Sequence, residues 1–150
     1  KKIRAGIKYD KPIIALDIFA TVASAAKAEK YIKNKIDGVN LLPYLNGDKN
    51  ESPHEYLYWK NPDKDIDVVR DERYKYLRIK KEEYVFDLKN DMSEESNIID
   101  SSKPIYDRLK SKFKEWEKDM IDPIFMDLGM GKEYNKLNPD RWYKSIKEKQ

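Results

Sequence analysis

Four short runs rich in aromatic and β-branched residues crowd into one stretch: "EYLYW" at 55–59, "DVVR" at 67–70, "YKYLRI" at 74–79 and "YVFDL" at 84–88. Such composition fits pleated, half-buried strands. The gaps at 71–73 and 80–83 are of hairpin length and too short for a parallel crossover, so an antiparallel meander is the economical pairing. In "YVFDL", Tyr84, Phe86 and Leu88 alternate onto one face, which is predicted to be buried. Downstream, Ser101 and Ser102 offer N-cap hydroxyls and Pro104 sits in a first helical turn. Ile105, Leu109, Phe113, Trp116 and Met120 then step by four, four, three and four residues, an amphipathic helix that covers one side of the sheet. The predicted class is α+β, a four-stranded antiparallel sheet packed by a long helix.

Upstream of the sheet, Pro12 opens "IIALDIFATVASAA", a predicted helix over 12–26 whose apolar residues cover nearly its whole circumference. Such a helix requires neighbours on several sides. Residues 27–54 read as an ordered connector, with turns at Asp37-Gly38, Pro43 and Asn46-Gly47 and apolar pins at Ile36, Leu41, Leu42 and Leu45. The division expected is 1–26, 27–54, 55–120 for the sheet and its helix, and a tail over 121–150. In the tail Gly129 and Gly131 act as breakers, and Asn138 caps a short helix anchored by Trp142 and Ile146.

Hydrophobic and charged residues each make up 39% of the 150 residues, with eleven Tyr and three Trp, so the chain is polar but aromatic enough to fold. The absence of cysteine excludes disulfides, thiolate zinc sites and cysteine nucleophiles. "KKIRAGIKYDK" has no apolar core of a secretory signal. The apolar run 13–26 is interrupted by Asp17, Thr21 and Ser24 and falls short of the ~20 residues of a membrane span. No spanning segment is expected. Residues 1–35 carry nine Lys/Arg against three Asp/Glu, while the rest carries 22 against 25. The basic end suits either an anionic partner or plain solvation.

Few side chains suggest chemistry. Asp63, Asp65 and Asp67 have the opening spacing of a calcium loop, but Val68 holds the glycine position and Tyr74 the closing glutamate position, so a solvated turn is expected. His54 is the sole histidine and has no second base to join it in a catalytic array. In "RYKYLRIKK" the cations and aromatics alternate between strand faces, so no uniform platform for nucleic acid forms, and none is expected to bind. Asn50-Glu51-Ser52 satisfies a glycosylation sequon, a pattern frequent by chance.

Four blocks in order, "IKYDKPIIALDIFAT", "IDGVNLLPYLNG", "VVRDERYKYLRI" and "YVFDLKNDMSEESNI", resemble the C-terminal end of a sulfatase of the arylsulfatase type, within the alkaline-phosphatase-like superfamily. Gly6, Asp17 and Thr21 match the first block, with Ala20 in a proline's place. Asp37, Gly38, Leu41, Pro43, Leu45 and Gly47 match the second, and Arg70 and Lys75 the strand pair. Asp87-Leu88, Asp91, Glu94 and Asn97 match the last, with Met92 in a proline's place. The resemblance covers about residues 3 to 118.

Several expectations follow from the resemblance. The intact relative hydrolyses sulfate esters with a formylglycine, made within Cys/Ser-x-Pro-x-Arg, and a calcium held by its large α/β domain. This chain contains neither set: Ser102-Lys103-Pro104-Ile105-Tyr106 ends in Tyr where Arg belongs. No catalytic or metal residue is therefore assigned, and the chain alone is expected to be inactive. Its partner would be the missing N-terminal catalytic domain, which would cover the apolar helix 12–26; in its absence that helix could self-associate. A sulfated substrate would be met in the intact enzyme alone, with His54, Trp59, Arg70 and Lys75 as candidates for the substrate rim. The family would allow export or a periplasmic location. The alternative reading is a free-standing interaction module that reuses this subdomain. Asp91 and Glu94, three residues apart, are predicted to form a capping box.

Overall fold

A computed structural model describes residues 3–62 and 64–121. The elements run α1 (Leu16–Ala25), a 3-10 turn (Glu29–Tyr31), α2 (Leu42–Leu45), β1 (Leu57–Asn61), β2 (Ile66–Arg70), β3 (Tyr74–Ile79), β4 (Glu82–Asp87) and α3 (Lys103–Glu117). The expected features at Asp63, Gly129, Gly131, Asn138, Trp142 and Ile146 lie outside the described residues.

All three strand pairings are antiparallel and the order is β1-β2-β3-β4, the expected meander. One row of cross-strand partners, Tyr58, Val69, Tyr76 and Val85, points toward α3. Val69, Tyr76 and Val85 join Leu109 and Phe113 of α3 in a single core, with Ile105 and Trp116 packed against it. Trp116 stacks on Tyr58 with ring centroids 5.0 Å apart. Met120 lies beyond the end of α3 and is exposed, so the predicted helix face stops at Trp116. The helix also starts without help from a serine hydroxyl: Ser102 is the N-cap residue but its side chain makes no cap bond, and Ser101 Oγ donates to the Ile98 carbonyl.

The face of β4 that meets α3 carries Val85, so the Phe86 side lies on the opposite surface of the sheet. Phe86 and Leu88 are nonetheless buried, while Tyr84 is half-buried and stacks on Phe86. Both surfaces of β4 are thus covered, and alternation alone could not tell which one faces the helix.

At the helix-facing surface a polar network ties α3 to the sheet. Glu83 accepts from the Tyr76 hydroxyl at 2.9 Å, from the Tyr106 hydroxyl, and from Lys110 Nζ at 2.8 and 3.0 Å. Burial pushes the Glu83 carboxyl up, but these donors outweigh it and hold it at about 2, below its ordinary 4.5. Burial, then Glu83 itself, push the Tyr76 hydroxyl up. Because the folded value of Glu83 is depressed, its contribution is complete above pH 4.5 and disappears as pH falls toward about 2. Glu83→Gln is expected to cost about 1–2 kcal/mol at neutral pH and to flatten stability across that acid window, as read from urea midpoints at several pH values.

The segment after β4 closes on the strand. Asp87 holds Arg73 through two bonds of 2.7 and 2.9 Å, and Asp91 accepts from the backbone N–H groups of Glu95 and Ser96. Asn97 Oδ1 accepts from the Val85 N–H at 2.9 Å, and the Ile98 N–H donates to the Val85 carbonyl. The capping box does not form: Glu94 has φ 59° and its carboxylate receives Lys75 Nζ at 2.6 and 2.7 Å. The opposite charge of Lys75 takes the place of a backbone donor.

Candidate functional site

The helix α1 is shorter than the predicted 12–26 and begins at Leu16, because Asp17 closes a turn in front of it. Its N–H donates to the Ile14 carbonyl at 3.0 Å, and its Oδ2 accepts from the Ile14 N–H at 2.9 Å. Asp17, Thr21 and Ser24 then recur four and three residues apart on one helix face. That face points inward. Asp17 Oδ1 accepts from the Val39 N–H at 2.8 Å, Thr21 Oγ1 from the Leu41 N–H at 3.0 Å, and Ser24 Oγ from Asn40 Nδ2 at 2.8 Å.

Two further residues complete this joint. At Gly38 the 37–41 segment meets the helix so closely that an added Cβ would lie 2.0 Å from the Leu16 carbonyl oxygen. From the entry to β1, His54 Nε2 reaches to 2.9 Å from both carboxylate oxygens of Asp17. Asp17 is wholly buried and the His54 side chain is 12% exposed. Burial pushes the Asp17 carboxyl up, but the N–H groups of Ile14 and Val39 and then His54 bring it below the usual carboxylate range. A carboxylate only accepts, so the His54 nitrogen facing it carries the hydrogen. The spacing of Asp17, Thr21 and Ser24 signals a polar face, but nothing in the sequence points to His54 as the partner of Asp17.

The large apolar residues of α1 face the other way. Leu16, Ile18, Phe19 and Val22 are between 53% and 65% exposed, while the helix buries Asp17, Ala20 and Ala23. The helix is therefore inverted relative to the usual surface helix, with its polar stripe inside.

A second candidate surface lies on the sheet, on the side away from α3. The row Leu57, Arg70, Lys75 and Phe86 crosses all four strands there, and Trp59 stands two residues along β1 on the same side. Arg70 and Lys75 are direct cross-strand neighbours, a like-charge pairing that is unfavourable by itself. It is relieved locally: Lys75 is bound by Glu94, and Arg70 donates to the carbonyls of Asp71 at 3.1 Å and Glu72 at 3.4 Å. Trp59 is 40% exposed. Three of the four expected rim residues thus share one surface, and the fourth, His54, has its Nε2 engaged by Asp17.

Among the described residues no group of three or more His, Asp or Glu converges on a point that would suit a metal. Asp65 and Asp67 are both bonded to Arg78, whose Nε lies 2.7 Å from Asp67 Oδ2 and whose Nη1 lies 2.8 Å from Asp65 Oδ1. No helix among the described residues is long and apolar enough to cross a membrane.

No family model matches the chain. Human steryl-sulfatase is 45% identical over 56 residues, which is 37% of this chain and 10% of that protein. The uncharacterized sulfatase YdeN of Escherichia coli K12 is 41% identical over 58 residues, 39% of this chain and 10% of that protein. The chain spans about a tenth of the length of the curated relatives it matches. Among solved structures, Ps i-CgsB superposes with a TM-score of 0.71 over 97% of this chain and 33% of its own, at 23% identity. BT1596, a 2-O GAG sulfatase, superposes with a TM-score of 0.63 over 79% of this chain and 28% of its own, at 21% identity. At those identities the structural likeness is one of fold.

The class defined by the sheet, its helix and these neighbours is a partial sulfatase-like fold of α+β type. Sequence and fold together support a C-terminal sulfatase portion.

Proposed function

We propose that this chain is the C-terminal portion of a sulfatase whose intact form hydrolyses sulfate esters, and that it is catalytically silent alone. The observation that carries the reading is the inverted helix α1. A helix that buries Asp17 and turns Phe19 and Val22 outward is built to be covered on its outer face. The upstream catalytic portion is the cover that a sulfatase would supply.

The residues present do not fit the cofactors that sulfatase similarity implies. Formylglycine needs a Cys/Ser-x-Pro-x-Arg segment, which the chain lacks, and Asp65 and Asp67 are both engaged by Arg78, with no third carboxylate converging on them among the described residues. Both the formylglycine and the calcium belong to the upstream portion in this reading. The chain's own contribution is a cationic and aromatic rim for a sulfated substrate, made of Trp59, Arg70 and Lys75. His54 is a fourth rim candidate, with contact falling to Nδ1 because Nε2 is bound to Asp17.

Two measurements test the reading. The purified chain is expected to turn over an aryl sulfate no faster than its heat-treated control. The coding sequence upstream of Lys1 is expected to continue in frame into a Cys/Ser-x-Pro-x-Arg segment. Turnover by the chain itself, or a start codon immediately before Lys1, would overturn it; the second result would favour a free-standing interaction module using the outer face of α1.

A further inference from the structure

The open face of α1 continues into a groove of about 510 Å³ between the helix and the segment that follows it. Phe19, Val22, Ala26, Ile32 and Ile36 line it. Lys27, Lys30, Lys33 and Lys35 interleave with these residues along the chain, are all exposed, and include one lining residue, Lys33. Among the described residues none of the four pairs with a carboxylate. Glu29, the lone acidic residue of 26–36, is bonded to the Ser24 side chain. An apolar floor therefore stands beside four cations that form no ion pair, with Glu29 the lone carboxylate among them.

We infer that this groove receives an acidic amphipathic element, its apolar ridge seated on Phe19, Val22 and Ile36 and its flanking carboxylates meeting Lys27, Lys30, Lys33 and Lys35. The inference rests on the reading above in placing that element in the sulfatase portion upstream. Charge decides against a second copy of the chain: a two-fold pairing through this face would set the same four lysines against themselves. Shape decides against a lipid surface, which would bridge a concave groove without filling it.

The test uses the whole chain and two helical probe peptides with leucines at i, i+3, i+4 and i+7, one flanked by glutamates and the other by lysines. By fluorescence anisotropy at low salt, the acidic peptide is expected to bind at least about tenfold tighter, from several surface ion pairs acting together. The gap should close as salt is raised. Val22→Asp, at a position 61% exposed, should abolish binding with an unchanged circular dichroism spectrum and Tm. The triple change Lys30→Glu, Lys33→Glu and Lys35→Glu should reverse the peptide preference. Equal binding of the two peptides, no binding of either, or binding that survives Val22→Asp would overturn the inference. So would flotation with phosphatidylglycerol vesicles, or a concentration-dependent dimer, that Val22→Asp abolishes. A coding sequence without an upstream sulfatase motif would sink the sulfatase reading while leaving the peptide result standing.

Discussion

Gly38→Ala is expected to lower the stability of the chain by about 3 kcal/mol or more, the upper range for forcing a methyl group into filled space. The new Cβ would meet the Leu16 carbonyl oxygen at 2.0 Å, the Leu16 carbonyl carbon at 2.5 Å and the Asp17 nitrogen at 3.0 Å. All three are backbone atoms, so no rotamer change relieves the clash. Relief requires lifting the 37–41 segment from α1, which breaks the bonds from Val39 to Asp17 and from Leu41 to Thr21. The urea midpoint is the readout, with Gly47→Ala as the comparison. Gly47 has φ 88° but open space around its Cα, so its loss should be confined to backbone strain of about 1 kcal/mol. Equal losses at the two positions would refute the close-approach explanation.

Asp17→Ala is expected to cost about 3–5 kcal/mol, as when one partner of a buried charged cluster is removed. The substitution leaves two backbone donors and the His54 ring facing an empty volume. His54→Ala should cost less, about 1–3 kcal/mol, because Asp17 keeps the Ile14 and Val39 N–H groups. In a double-mutant cycle the two losses should fall well short of additivity. The pH dependence has a definite sign: the folded-state pKa of Asp17 is lowered from 3.8, so its stabilisation is present above that value and is lost as pH falls through the lower one. Asp17→Ala should therefore weaken the acid limb of the stability profile. An unchanged acid limb would rule out an ionised Asp17 in the joint.

The sheet was legible because its determinants are local. Connections such as 71–73 and 80–83 leave adjacent antiparallel strands little choice, and β3 falls at Tyr74–Ile79 as the residue pattern predicts. The same locality explains the core face of α3 from Ile105 to Trp116. Where the reading failed, a distant partner decided the outcome. The stripe Asp17, Thr21 and Ser24 was visible, but polar stripes ordinarily face water, and nothing nearby in sequence announces that 39–41 supplies its donors. Glu94 has the spacing of a capping residue, yet Lys75, nineteen positions away, captures it.

For the candidate site the same division holds. Arg70 and Lys75 become neighbours once the β2–β3 register is known, and their common side with Trp59 follows from strand alternation. The bond from His54 to Asp17 crosses 37 positions and joins an element before the sheet to one at its threshold. No periodicity spans that interval, so a lone histidine ahead of a strand gave no sign of its carboxylate.

Asn97 and Ile98 do for the outer side of β4 what another strand would do: they occupy the N–H and C=O of Val85. A foreign extended chain cannot add there without first displacing them. The opposite margin of the sheet, β1, has no such strand-like cover among the described residues, since it pairs with β2 alone. Removal of the Asn97 amide should therefore open the β4 margin to strand addition by a second chain.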